Sequence, residues 1–229
     1  MGSIGAILAD FVRFAVFKPL KGDPAKHWRT YLLVGAAITW VVGFGRYWDD
    51  AEEPLLLRSG FTSIFYTLAL SAFIWLIVLG LKPERWSYRN VLLMVMMTAL
   101  PGIIYAIPVE MFMSNESAGA VNMLFLAIVA GWRMALYYTF LKRVAKLPPV
   151  ASLVGWLLPP TVILAALGFY GITYVIAGGM AGVRDEVDPQ MASMQVIAYL
   201  GLASWVCLPI LALIYVVLLF ERRIRTPPP

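Results

Sequence analysis

Charged residues are scarce in this chain of 229 residues. Lys, Arg, Asp and Glu make up 14% of the sequence, whereas hydrophobic residues make up 61%. A soluble domain usually carries about 25% charged residues. A water-soluble fold of this size could not bury so much apolar surface, so lipid must form part of its solvent.

Cysteine and histidine are nearly missing, since the chain contains one of each. Cys207 lies inside an apolar run, which excludes a disulfide framework and indicates a small apolar filler. His27 lies in a loop, and a single histidine cannot supply the pair of ligands that a haem or zinc site would need. We therefore expect no metal site and no cofactor.

Motifs for catalysis are missing as well. No apolar run has a central Asp or Glu, and the sequence contains neither a P-loop nor a dinucleotide fingerprint. The short outer loops leave no room for a catalytic domain. The basic residues behind the net charge of +5 lie between apolar runs rather than on one element, which argues against nucleic acid as a partner. We expect no enzyme activity and no catalytic residues.

Apolar runs of about 20 residues are abundant instead, and each can cross a hydrocarbon core of about 30 Å at 1.5 Å per residue. They predict an all-α membrane bundle of about six transmembrane helices within residues 27–221, followed by a short basic tail at 222–229. The predicted spans are roughly 30–46, 59–81, 91–110, 119–141, 150–180 and 192–220. The fifth could be one tilted helix followed by a loop at Gly178-Gly179, or a helix broken at Pro159-Pro160.

Lys and Arg are distributed unequally between the two ends of these spans. If the N-terminus is cytoplasmic, fourteen of the eighteen lie on that side, while Arg133 lies within a span. Acidic residues show the opposite bias. Because cytoplasmic loops of membrane proteins carry the excess of Lys and Arg, we expect both termini to be cytoplasmic in a bacterial inner membrane.

Residues 1–26 are predicted to form an interfacial amphipathic helix and a basic linker. Ser3, Asp10 and Arg13 recur at helical spacing, and apolar residues fill the positions between them: Ile4, Ile7, Leu8, Phe11, Phe14 and Phe17. This pattern fits a helix on the inner leaflet, with Lys18, Lys21 and Lys26 reaching anionic lipid. A re-entrant segment is the alternative.

Arg133 lies deep in the fourth span, where a cation costs roughly 2.5–3.5 kcal/mol and indicates a functional site. Helical steps of four and eleven residues place Tyr137 and Asn122 on the same face. Three interpretations stay open: a bond to helix carbonyls, a site for a lipid phosphate or small anion, and snorkelling to the headgroups.

Prolines are predicted to interrupt three spans, at Pro101 and Pro108, at Pro159-Pro160 and at Pro209. Each removes a backbone hydrogen bond and leaves carbonyls in need of donors, which a buried guanidinium could supply. Transporters also build sites from broken helices. In the first span, Gly35, Thr39 and Gly43 form a stripe of small residues that permits close helix packing.

A second candidate binding region follows the first span. It combines a cation, two aromatic residues, an acid after them and an acid at the end of the third span: Arg46, Tyr47, Trp48, Asp49 and Glu110. Together with Glu52, Glu53 and Asp185, these residues could form an acidic outer pocket for a divalent cation or a basic partner. The alternative is an aromatic interface belt with solvated acids.

The run Gly45-Arg46-Tyr47-Trp48-Asp49, together with 104–110 and 130–133, resembles a group of uncharacterised bacterial six-span inner-membrane proteins. In that group a Gly-Arg-Tyr-Trp-Asp run follows the first span, and the resemblance covers most of the chain. It implies an inner-membrane location but no activity. The amphipathic start and compact bundle are also distantly similar to bacterial Yip-family membrane proteins, which implies no site.

We therefore expect a non-enzymatic membrane protein that binds lipid or a partner membrane protein, in assembly or envelope homeostasis. The short loops, the basic amphipathic start and the missing catalytic groups favour this function. The alternative is a small transporter or channel, in which the kinked spans frame a polar site around Arg133.

Overall fold

The computed structural model describes residues 3–44, 59–180 and 189–225; the side chains of 110, 115–116, 174–180, 189–194 and 222–225 are outside this description. All regular structure in these residues is helical. The helices are α1 (Ile4–Ala15), α2 (Trp28–Phe44), α3 (Phe61–Leu79), α4 (Tyr88–Met97), α5 (Asn115–Arg143), α6 (Pro149–Met180) and α7 (Pro189–Arg225), with 3₁₀ segments at Leu100–Ala106 and Val109–Met111.

Five helical segments of 19 to 27 residues are long and apolar enough to cross a membrane, and α2 is a shorter apolar helix of 17 residues. They leave large apolar side chains exposed, as Val206 and Leu213 in α7 do at 68% and 67%. Apolar surface of this kind on spanning helices requires lipid around it. The predicted all-helical membrane bundle is confirmed, and the chain is an integral membrane protein.

The third predicted span is an α-helix only in its first half. α4 ends at Met97, and the chain continues from Leu100 as a 3₁₀ segment. The α-helical pattern ends here because Pro101 has no N–H to donate. The predicted interruption at Pro101 is confirmed.

The fifth predicted span has neither of the expected interruptions. α6 is one helix of 32 residues that contains both Pro159-Pro160 and Gly178-Gly179. Pro209 also lies inside a continuous helix, α7. The expected breaks at these three prolines are wrong, because membrane helices accommodate proline where other groups supply hydrogen bonds.

The chain divides into two compact units. The first consists of Met1–Leu76 and Pro83–Lys146, and the second of Ile77–Lys82 and Leu147–Pro229. In the second, α6 and α7 pack as an antiparallel pair. Gly168 and Gly201 meet at its centre, where a Cβ on either residue would overlap the Cα of the other. One turn away, Trp205 Nε1 donates to the Ala165 carbonyl over 2.8 Å.

The first unit has its core where α1, α2 and α4 meet. Buried side chains from these three helices form one cluster: Ile7, Phe11, Tyr31, Leu93 and Met97. The small-residue stripe of α2 allows this packing, since a Cβ on Gly35 would lie 3.0 Å from Met96 and 3.2 Å from Phe11. The predicted close packing along α2 is confirmed at Gly35.

Candidate functional site

Asp10 fastens α1 to the segment that follows it. Its side chain is 2% exposed and faces the protein. Oδ1 accepts the N–H of Lys21 over 2.8 Å, and Oδ2 accepts the N–H of Gly22 over 2.9 Å and the hydroxyl of Tyr31. The sequence pattern grouped Asp10 with Ser3 and Arg13 in one polar stripe; in the structure it packs inward instead.

The hydrogen bonds keep the Asp10 carboxylate charged. Burial by itself raises the pKa of Asp10, but the bonds from Tyr31, Lys21 and Gly22 and the charge of Arg13 lower it further than burial raises it. The resulting pKa lies below the usual value of 3.8. At neutral pH an ionised group therefore holds the loop at 21–22 against α1.

The C-terminal end of α1 is fixed by side chains as well. Phe17 occupies the left-handed position that usually carries glycine, with φ of 61°, and the N–H groups of Phe17 and Lys18 close a Schellman motif. Trp132 Nε1 donates to the Ala15 carbonyl over 2.8 Å, and Arg143 Nη1 donates to the Phe17 carbonyl over 2.7 Å. Both donors belong to α5, so residues 14–25, which we call the strap, run along α5.

A cavity of about 380 Å³ lies between the strap, α4 and α5. Its floor is apolar and is formed by side chains from α4 and α5: Leu93, Met94, Met97, Leu136 and Phe140. Its rim carries the cations Lys18, Arg85 and Arg143 and one acid, Asp23. Asp23 Oδ1 already accepts the N–H of Ala25 over 2.9 Å. The rim is therefore basic, above an apolar interior whose size is typical of ligand pockets, about 300–1,000 Å³.

Two residues that line the cavity have strained backbones. Phe17 and Arg85 are in the left-handed region, with φ of 61° and 47°. This conformation costs a residue with a side chain roughly 1–2 kcal/mol. In both cases a side chain bonds the strained residue's carbonyl, Arg143 for Phe17 and Asn90 for Arg85. Lys82 and Lys146 have the same conformation and do not line the cavity, so the strain alone does not mark a functional site.

Arg133 donates Nε to the Thr98 carbonyl over 3.0 Å. This carbonyl needs an outside donor, because Pro101 has no N–H and the N–H of Gly102 bonds to Ala99. The Arg133 guanidinium lies against Gly102, where a Cβ would be 2.8 Å from Nη2. Of the three interpretations, the structure shows the bond to a helix carbonyl.

Two of the other predicted site residues, Tyr137 and Asn122, share α5 with Arg133 at different distances. Tyr137 is buried one turn further along α5, and Asn122 lies eleven residues before Arg133, about 16 Å away along the helix axis. The predicted outer pocket is outside the described residues: Arg46, Tyr47, Trp48 and Asp49. Glu110 belongs to the segment Val109–Met111, and its side chain is likewise outside the description.

No protein-family model, curated protein or solved structure matches this chain. Within the described residues, no group of three or more His, Cys, Asp or Glu side chains could hold a metal ion. Among the described residues, those around the cavity under the strap enclose a ligand-sized space. The sequence indicates Lys18 as a lipid-facing cation, but nothing in it brings Lys18 together with Arg85 and Arg143.

Proposed function

We propose that this protein is a non-enzymatic membrane protein that binds an anionic phospholipid in the cavity between the strap, α4 and α5. The observation that carries the proposal is the pairing of an apolar interior with three rim cations, Lys18, Arg85 and Arg143. An acyl chain fits the interior, and a phosphate fits the rim, where charge-assisted hydrogen bonds to Arg are among the stronger ones that proteins form.

The chemistry of the cavity favours a lipid over a soluble anion. A free phosphate or nucleotide would use the basic rim and leave the apolar walls wet. Met94, Met97 and Leu136 are already buried, but the partly exposed side chains of Phe14, Phe17 and Leu20 gain from contact with hydrocarbon. An anionic lipid satisfies both parts at once.

We further propose that the protein lies in the cytoplasmic membrane of a bacterium with both termini in the cytoplasm. The excess of Lys and Arg on one side of the spans supports this orientation. It would place the rim cations at the leaflet that carries anionic headgroups. A role in envelope assembly or homeostasis, through the bound lipid, agrees with the lack of catalytic motifs.

Native mass spectrometry of the detergent-purified protein tests the lipid site. Phosphatidylglycerol is added with phosphatidylcholine as competitor, and bound lipid is counted. The variant Lys18→Gln/Arg85→Gln/Arg143→Gln is compared with a control that removes the same charge at neighbouring residues that do not line the cavity, Lys21→Gln/Lys26→Gln/Lys142→Gln. We expect the wild type and the control to retain phosphatidylglycerol and the rim variant to lose at least about tenfold in affinity, one Arg–phosphate contact.

Two results would count against the proposal. If the wild type showed no preference for phosphatidylglycerol, the cavity would not be an anionic-lipid site. If both triple variants lost the lipid equally, binding would come from the general positive charge of the surface. A co-purifying membrane protein released by the rim substitutions would favour a protein partner instead.

A further inference from the structure

Arg143 stands at the junction of the strap and the cavity. Its side chain lines the cavity, and its Nη1 donates to the Phe17 carbonyl over 2.7 Å. A guanidinium has five N–H donors in a fixed plane, and its Nε–Nη2 edge suits two phosphate oxygens at once. Within the described residues, the structure gives this guanidinium no second hydrogen-bond partner. Nη1 donates to the strap, and the Nε–Nη2 edge is available to a ligand at the rim.

We propose that Arg143 couples lipid binding to docking of the strap. The guanidinium that donates to the Phe17 carbonyl also binds the lipid phosphate, so residues 14–25 close over the bound lipid. This inference rests on the proposed lipid site. The strap supplies one wall of the cavity through Phe14, Phe17 and Leu20, so the site is complete only while the strap is docked.

The docked strap is held from outside the cavity as well. Trp132 Nε1 of α5 bonds the Ala15 carbonyl, at the start of the strap, over 2.8 Å. Trp132 does not line the cavity. By thermodynamic linkage, whatever favours the docked strap must raise lipid affinity, and bound lipid must favour docking by the same factor. The coupling can therefore be tested at a residue that does not touch the lipid.

Trp132→Phe is the main test, because it removes the strap bond and leaves the cavity lining unchanged. The matched control is Trp205→Phe, which removes the same kind of bond, Nε1 to the Ala165 carbonyl, in the second unit. We expect phosphatidylglycerol affinity to fall by up to about fivefold in Trp132→Phe, as for loss of a bond worth about 1 kcal/mol, with the full factor where the lipid-free strap is mostly undocked. Trp205→Phe should bind as the wild type does.

Arg143→Lys separates the shape of the guanidinium from its charge. Lysine keeps the positive charge but cannot bond a carbonyl and a phosphate in one plane. We expect roughly tenfold weaker phosphatidylglycerol binding. Hydrogen exchange in phosphatidylcholine nanodiscs should show that phosphatidylglycerol slows exchange at residues 16–25 in the wild type and does so less in Arg143→Lys.

The outcomes separate the two proposals. If the wild type shows no preference for phosphatidylglycerol over phosphatidylcholine, the lipid site and this inference are both wrong. The coupling is wrong, and the lipid site stands, if the wild type and Trp132→Phe bind phosphatidylglycerol equally well. The same conclusion follows if phosphatidylglycerol does not change the rate of hydrogen exchange at residues 16–25. If Trp132→Phe does not fold, hydrogen exchange at residues 16–25 of the wild type, with and without phosphatidylglycerol, decides the coupling.

Discussion

The hydroxyl of Tyr31 donates to the buried carboxylate of Asp10, which joins α1 to the first residues of α2. An ionised carboxylate inside a protein is tolerated only when hydrogen bonds replace its lost hydration. Asp10 has three such bonds, two of them from the main chain at Lys21 and Gly22. The stability of the first unit should therefore depend on this one charge.

Asp10→Asn should lower the free energy of unfolding by about 1–3 kcal/mol. The asparagine side chain has one acceptor oxygen, and its NH2 group faces a donor. The backbone N–H of Lys21 or of Gly22 therefore loses its acceptor. Thermal unfolding of the purified protein in detergent measures the change. Glu84→Gln is the control, because Glu84 pairs with Lys146 with both side chains more than half exposed, and such pairs contribute about 0–1 kcal/mol. Equal shifts in both variants would contradict the assignment.

The pH dependence follows from the direction of the Asp10 shift. Because the folded-state pKa is lowered below 3.8, the contribution of Asp10 is fully present above pH 3.8 and is lost as the pH falls through the folded-state pKa. We expect this contribution to be constant from about pH 5 to pH 8 and to fall below about pH 4. Comparing wild type with Asp10→Asn across this range isolates it. A difference that shrinks already between pH 8 and pH 6 would refute the assignment.

Gly102→Ala should destabilise the first unit by about 1–3 kcal/mol, as overpacking does. The added Cβ would lie 2.8 Å from both Arg133 Nη2 and Val42 Cγ1 and would disturb the bond from Arg133 to Thr98. Gly131→Ala is a close control, since a Cβ there meets nothing within 4 Å. The unfolding temperature should fall for Gly102→Ala and should not fall for Gly131→Ala. An unchanged Gly102→Ala variant would show that Arg133 is not held at this position.

Phe17→Gly should separate stability from binding. Glycine relieves the left-handed backbone at φ of 61°, which stabilises by about 1 kcal/mol. The same change removes an apolar wall of the cavity, so phosphatidylglycerol should bind more weakly. Unfolding temperature and native mass spectrometry report the two effects on one sample. If binding were unchanged while the protein became more stable, the Phe17 side chain would have no part in the site.

Gly168→Ala should destabilise the second unit by about 3 kcal/mol, because the new Cβ would overlap the Cα of Gly201 and backbone atoms cannot move aside as side chains do. Size-exclusion chromatography and thermal unfolding give the folded fraction and its stability. Gly5→Ala is the control, since nothing lies within 4 Å of a Cβ there. Normal behaviour of Gly168→Ala would contradict the close approach of α6 and α7.

The sequence predicts the helices well because each span is a local property of about 20 consecutive residues. It also predicts the α4 interruption, since Pro101 changes bonding only within its own turn. It fails at Pro159-Pro160 and Pro209, where the same argument is overridden and the helices continue. The position of a proline shows which N–H donor is missing but not whether other groups replace it.

The candidate site was harder to predict because its parts are remote in sequence. Asp10 has the spacing of a polar stripe, and only Lys21, Gly22 and Tyr31 show that it faces inward. Lys18 follows α1, Arg85 follows α3 and Arg143 ends α5, so their convergence on one cavity depends on tertiary packing. A bond from Arg133 to a carbonyl freed by proline is one of the interpretations that the sequence does offer. Both the buried arginine and the carbonyl without a donor can be recognised from their own short segments.

The two α5 donors that bond the strap impose an order on biogenesis. Trp132 and Arg143 are 117 and 126 residues away from their acceptors, Ala15 and Phe17. At a synthesis rate of about 5–20 residues per second, α1 leaves the ribosome roughly 6–25 seconds before these donors exist. During that interval α1 is without these two hydrogen bonds, so it reaches its native contacts only after nearly all of the first unit has been translated.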